Sequence, residues 1–237
     1  MFDLSARYYD PIYSFKNYER EAEIIRGLLK THAANARAIL DVACGTGEHD
    51  RFLKQDYAVD GVDLNATFVE IARGKNPEGR YFIGDMRNFD VGRRYDAILC
   101  LFSAIGSMKT PAALESALKS VRRHLVDRGI ALVEPWYPPD QWQPGSVLVR
   151  TEHDGQHAVC RMSVGGWASS RVSTLTFHYL VGSSAGIQHF TETEELGLFT
   201  RDEMTEAFEA AGFEVQYDCE GLIGRGLYIV RAGQSVA

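Results

Sequence analysis

Four cysteines, Cys44, Cys100, Cys160 and Cys219, are spread through 237 residues and none forms a CxxC pair. There is thus no disulfide framework to read, and a reduced, cytoplasmic setting is expected. Cys44 and Cys100 sit in apolar runs and read as small hydrophobes. Cations are outnumbered, 25 Lys and Arg against 32 Asp and Glu, for a net charge of −7. That balance argues against a broad basic surface for nucleic acid or anionic lipid. It leaves room for an anionic small molecule, which one or two pocket arginines can hold. No window approaches the uncharged apolar length of a membrane span, and the early residues lack a signal-peptide apolar stretch. Repeats, low-complexity tracts and long linkers are missing too. His153 and His157 have no third ligand placed nearby, so no metal is expected.

What the chain does have is hydrophobic content of 45%, ample for a packed core, and a regular alternation of elements. Residues 17–32 put Ala22, Ile25, Leu28 and Leu29 on one helical stripe. Strands are expected at 37–43, 58–63, 81–85, 95–102 and 129–134, with helices at 48–56, 65–74 and 111–125 between them. Such alternation implies βαβ units and a mostly parallel sheet. From about residue 145 the texture changes. Runs 146–152, 157–165, 171–181 and 186–193 are strand-like with no helices between, and Asp154-Gly155 is a hairpin signal. They predict an antiparallel platform over 145–193, inserted into an α/β core of 1–144 and 194–237. A helix at 201–211 and strands at 213–217 and 226–230 complete a seven-stranded sheet with helices on both faces.

The most informative segment is 39-ILDVACGTG-47. A buried strand ends in an acid, followed by two glycines one residue apart, a turn that lets backbone approach a ligand closely. Asp63 closes the second strand 18 residues after Gly45, where a ribose-binding acid follows a Rossmann turn. Asp85 follows the third strand, placed to accept from an adenine amino group. An adenosine cofactor is therefore expected. A dinucleotide needs a third glycine beneath its pyrophosphate, and that position is Asp50. With Asp41 and Glu48 also at the turn, a cationic sulfonium with an ammonium group is favoured over NAD.

The elements 39-ILDVACGTG-47, 61-GVDL-64, 84-GDMRNF-89, 101-LFSAIG-106 and 133-VEPW-136 resemble class I S-adenosyl-L-methionine (SAM)-dependent methyltransferases. They look most like the N,N-dimethyltransferases of nucleotide-linked 3-aminosugars, of the desosamine and mycaminose type. The similarity extends to Tyr9-Asp10, Tyr13, Lys16, Tyr18, His189-Phe190 and 224-GRGL-227. The resemblance implies that Ala43, Gly45 and Gly47 hold the methionine portion of SAM, and Asp63 and Leu64 its ribose. Asp85 and Met86 would border the adenine, Leu101 and Phe102 the sulfonium, and Tyr18 would close over the carboxylate. Tyr9 would lie where donor meets acceptor, with His189 a second candidate for guiding or accepting the amine proton. Arg225 would pair with the diphosphate of an anionic sugar nucleotide, and Trp136 would wall the acceptor pocket. Ser107 stands where the family often carries His or Tyr. S-adenosyl-L-homocysteine (SAH) would be released after each transfer. A homodimer through the inserted strands, another small amine or hydroxyl as acceptor, and a SAM-binding regulator without turnover stay open at this level.

Overall fold

The computed structural model describes residues 4–153 and 155–234. A 3-10 turn (Ala6–Tyr8) leads into α1 (Tyr9–Ile12) and α2 (Tyr18–His32). Strand and helix then alternate: β1 (Ala38–Val42), α3 (Glu48–Leu53), β2 (Ala58–Asp63), α4 (Ala66–Lys75), β3 (Tyr81–Ile83), β4 (Tyr95–Cys100), α5 (Pro111–Arg123) and β5 (Leu125–Val133). Four strands follow without a helix: β6 (Val147–His153), β7 (Ala158–Ser169), β8 (Val172–Ser183) and β9 (Gly186–Gly197). The chain closes with α6 (Arg201–Ala210), β10 (Phe213–Asp218) and β11 (Leu227–Ala232).

Seven strands form one sheet in the order β10-β11-β5-β4-β1-β2-β3, all running the same way except β11, which is antiparallel to both its neighbours. From β1 the chain builds first toward β3 and then, after crossing back, toward β5. The direction reverses at β1, so a crevice opens beyond the carboxyl ends of β1 and β4, where α/β sheets bind ligands. Period-two alternation supplies both faces. Leu40, Val42, Ile98, Val133, Phe208 and Tyr228 pack on one side, and Ile25, Leu29, Ile39, Val59, Leu99 and Leu132 on the other.

The four later strands form a separate antiparallel sheet in the order β6-β7-β8-β9. Its inner face buries Val159, Phe177, Tyr179 and Val181 against Tyr8, Ile12 and Tyr13. The N-terminal segment is thereby clamped between this sheet and the crevice. Glu192 of β9 fixes the arrangement by accepting from Ser5 Oγ at 2.5 Å and Leu4 N–H at 3.0 Å.

Element boundaries differ from expectation where side chains intervene. β3 stops at Ile83 because Asp85 Oδ1 accepts the Arg87 N–H at 2.9 Å, a local Asx turn that competes with the ladder. β4 stops at Cys100 because Phe102 and Ser103 take positive φ, 52° and 62°. β5 starts early, at Leu125, through an irregularity at Arg128 (φ 61°). β9 continues to Gly197, four residues past its expected end. Asp154 of the hairpin signal lies outside the described residues; Gly155 adopts φ 89°.

Candidate active site

The crevice and the inner face of the second sheet together enclose a cavity of about 1340 Å³. Of the residues expected at the site, Tyr9, Tyr18, Ala43, Gly45, Asp63, Leu64, Asp85, Met86, Leu101, Phe102, Ser107, Trp136 and Arg225 all line it. Two do not. Gly47 starts α3 at φ 72°, packed on Asn76 and Ala72, and shapes the turn rather than the wall. His189 points to the opposite side of β9, exposed and stacked on His178 at 5.7 Å between ring centres. Side chains on a strand alternate between faces, and His189 shares its parity with solvent-facing Ile187 and Thr191. The catalytic expectation for His189 is corrected on that ground.

The part of the cavity beside the glycine turn is built from strand ends. A Cβ on Gly45 would meet nothing within 4 Å, so the turn leaves open space beside its backbone. Asp63 Oδ2 accepts the Gly45 N–H at 2.8 Å and Oδ1 accepts the Asn65 N–H at 2.8 Å. Each oxygen keeps a lone pair for a further donor. Burial raises the carboxyl's pKa against these backbone donors. Asp85 is gripped by the Arg87 fork, which holds its pKa low. Among the described residues, four without glycine's freedom sit at positive φ, and Ala43, Phe102 and Ser103 line the cavity. Strained backbone of this kind concentrates at ligand sites.

Asp50, at the dinucleotide-glycine position, is fully buried beneath the turn and does not line the cavity. Tyr81 O–H donates to its Oδ2 at 2.9 Å. Asp41 Oδ1 and Asp50 Oδ1 have no ordinary donor. A proton kept between the two carboxyls satisfies both, and burial together with their mutual charge raises Asp41 far above the usual carboxylate range. Bulk under the turn, as well as charge, thus excludes the close helix packing a dinucleotide turn requires.

The N-terminal segment closes one end. Thr46 Oγ1 donates to Asp10, and Lys75 bridges Asp10 and Glu48 at 2.6 and 2.5 Å. Tyr18 packs edge-on to His49 at 4.9 Å, and His49 meets buried Glu21 at 2.8 Å. Burial disfavours the Glu21 carboxylate, but His49 and Lys16 outweigh it and lower its pKa.

The opposite end is aromatic and cationic. The Arg225 guanidinium lies 5.6 Å from the Phe102 ring centre and 5.5 Å from Trp136, and donates to Ser103 Oγ at 2.8 Å. Its left-handed neighbour Gly226 is obligatory, since a Cβ there would sit 2.0 Å from the Tyr217 oxygen. Trp136 Nε1–H donates to Ser173 at 2.9 Å, anchoring the ring to the second sheet. Phe102 N–H donates to buried Glu134 Oε2 at 2.7 Å, leaving Oε1 unpartnered; burial raises this carboxyl and Arg225 pulls it down.

Sequence reasoning missed Arg161 and Glu194, both from the second sheet and both in the wall. Arg161 is 6% exposed, stacks 4.7 Å from Tyr13, and has Nε and Nη1 without partners. The available signal was strand parity: Arg161 alternates with Ser163, and Glu194 with Leu196.

Open space at Gly45, a ribose-ready Asp63 and a cavity ringed by carboxyls and aromatic faces fit an adenosine carrying a cationic sulfonium. A methyltransferase-domain family model matches residues 39–129. The chain is 40% identical over 215 residues to a dTDP-3-amino-3,6-dideoxy-alpha-D-glucopyranose N,N-dimethyltransferase of Streptomyces fradiae, covering 90% of this chain and 84% of that protein. It is 38% identical to a dTDP-4-amino-2,3,4,6-tetradeoxy-D-glucose N,N-dimethyltransferase of Saccharopolyspora spinosa, covering 93% and 90%. The SAM-bound amino pentose methyltransferase CalS10 of Micromonospora echinaspora superposes with a TM-score of 0.84 at 32% identity, covering 98% and 97%. The chain therefore belongs to the class I SAM-dependent methyltransferases, in the branch that holds these dTDP-aminosugar N,N-dimethyltransferases.

Proposed function

We propose that the protein transfers methyl groups from SAM to the amine of a dTDP-linked aminosugar, twice in succession. The observation that carries this reading is Arg225, a pocket guanidinium flanked by Phe102 and Trp136 on the acceptor side of the cavity. A guanidinium pairs with phosphate oxygens in a fork, and aromatic walls accept a sugar or base face. SAM supplies an electrophilic methyl, so the chain's own task is alignment and exclusion of water, worth about 7–11 kcal/mol when well done.

The proposed division of labour follows the cavity. Asp63 and Leu64 take the ribose, Asp85 and Met86 the adenine, and the backbone of Ala43 and Gly45 the methionine portion. Leu101 and Phe102 flank the sulfonium, and Tyr18 covers the carboxylate end. Tyr9 stands at the junction, its hydroxyl kept protonated by burial first and by neighbouring Tyr13 next. A protonated phenol with a π face can steady a developing ammonium without competing for its proton. Ser107 and Trp136 shape the sugar pocket. The second sheet, over 145–193 and on to Gly197, is proposed as an inserted roof. Its outer face exposes Val147, Val149, Met162, Leu180 and Ile187, which supports a homodimer checkable by light scattering. Four cysteines without a disulfide among them support a cytoplasmic setting.

Arg225→Glu tests the nucleotide handle. The expected result is an acceptor KM raised more than about tenfold, with the SAM dissociation constant unchanged, as loss of a charged pairing of about 1.5–3 kcal/mol gives. Unchanged acceptor KM would remove the diphosphate from the reading and favour an uncharged small acceptor.

A further inference from the structure

β9 carries three acids close together, and the structure treats them differently. Glu192 is held by Ser5 and Leu4. Glu195, on the opposite face, pairs with Lys109 at 2.6 Å. Glu194 lies between them, opposite Leu175 and Gly165 in the ladder, and lines the cavity. It has no hydrogen bond or ion pair among the described residues. Phe177 and Leu175 of β8 give it apolar neighbours on the same inner face.

The groups that face it come from each surrounding element. Tyr9 of α1 and Tyr13 both respond to its charge, Tyr9 after burial and the charges of Tyr13 and Tyr18, Tyr13 after burial and Arg161. Arg161 of β7 lies four register positions along β8, opposite Tyr179 where Glu194 is opposite Leu175, and is directed at Tyr13 and Phe177. Asp63 stands across the cavity on the cofactor side, close enough to act on the same Tyr9 hydroxyl. A carboxylate in a partly apolar wall with no cation paired to it among the described residues, beside the tyrosine expected where donor meets acceptor, is a receptor for a cation. His189, the other group expected to accept a proton, faces away.

Resting on the aminosugar reading above, we propose that Glu194 binds the acceptor as its ammonium form and removes the proton that would otherwise block attack. One N–H bond breaks and its electron pair stays on nitrogen as the nucleophilic lone pair. The proton forms an O–H bond on the Glu194 carboxylate, so an ion pair becomes two neutral groups. The monomethylated ammonium produced by the first transfer needs the same step before the second. The carboxyl gives its proton to water between rounds. Burial pushes this carboxyl up to about 7, near the working pH at which a general base is most effective.

Steady-state kinetics of wild type, Glu194→Gln and Glu194→Asp with SAM and a dTDP-3-aminosugar, across pH, test this. Glu194→Gln is expected to lower kcat/KM for the acceptor about 100-fold at neutral pH, with SAM affinity and melting temperature unchanged. The deficit should narrow above the amine's own pKa, where the acceptor arrives already deprotonated. Glu194→Asp, which restores a carboxylate, should recover part of the loss and the acid limb of the profile. A Gln variant within about twofold of wild type, or a deficit equal at every pH, overturns the assignment while leaving the function intact. Should Glu194→Gln fold poorly, an Asp variant with no acid limb overturns it equally. Wild-type protein that binds SAM but methylates no aminosugar nucleotide overturns the underlying reading and this assignment together.

Discussion

At the scale of single residues, the site is governed by what burial does to carboxyls. Asp50 is fully buried under the glycine turn and burial, opposed by the Tyr81 hydroxyl, pushes it up to about 6. A carboxyl raised in the folded state holds a proton that the unfolded chain has released, so stability falls as pH rises between the unfolded and folded pKa values. The window runs from about 4 to about 6. The predicted consequence is a comparison between wild type and Asp50→Asn by urea unfolding at pH 4 and pH 7. Wild type should lose about 2 kcal/mol relative to the variant over that range. A wild type that gains on the variant as pH rises would mean that the pair ionises freely in the folded protein. Asp41, Asp63 and Asp85 were legible as strand-end acids because each follows an apolar run. How each is engaged was not legible: the Arg87 fork takes part of Asp85's acceptor capacity, and Asp50 acts on buried Asp41, both through side chains that local pattern does not register.

At the scale of elements, β1, β2 and the turn between β1 and α3 form one packed unit. Gly61 in β2 lies against the Tyr81 ring and Cys44 Sγ, with room for no side chain: a Cβ would sit at 2.6 and 2.8 Å from them. Gly61→Ala should therefore cost about 1–3 kcal/mol by overpacking and push Cys44, next to Gly45, toward the cofactor. A thermal melt and SAM titration of the variant check both effects; wild-type values in each would show that Tyr81 swings aside freely. The strands and helices of the parallel sheet could be read from periodicity because each is apolar on the face or faces it buries. β9 shows where that reading stops. Glu194 and Glu195 look like a polar strand end, yet the strand continues, because one acid enters the cavity and the other reaches Lys109. A functional acid inside a strand breaks the pattern that would otherwise reveal it. His189 illustrates the converse: one register step puts a plausible catalyst on the wrong face.

At the scale of the whole molecule, two sheets share one cavity. The parallel sheet lines the cavity at its topological switch, where the proposed reading puts the cofactor, and the antiparallel sheet, tied to the N-terminal segment through Tyr8, Ile12 and Tyr13, adds Arg161 and Glu194 to the wall. Under the proposed reading, the ends of β1 to β4 hold the cofactor, and the second sheet adds Arg161 and Glu194 to the acceptor side beside Arg225 and Trp136. The net charge of −7 is no obstacle to an anionic acceptor, because Arg225 and Arg161 concentrate positive charge within the cavity. The most direct measurement is incubation of the purified protein with SAM and dTDP-3-aminosugars, with products read by mass spectrometry. The account predicts gain of one methyl and then a second on the sugar amine, with two equivalents of SAH formed. SAM binding without any methylated aminosugar, or transfer to a hydroxyl in its place, would contradict it.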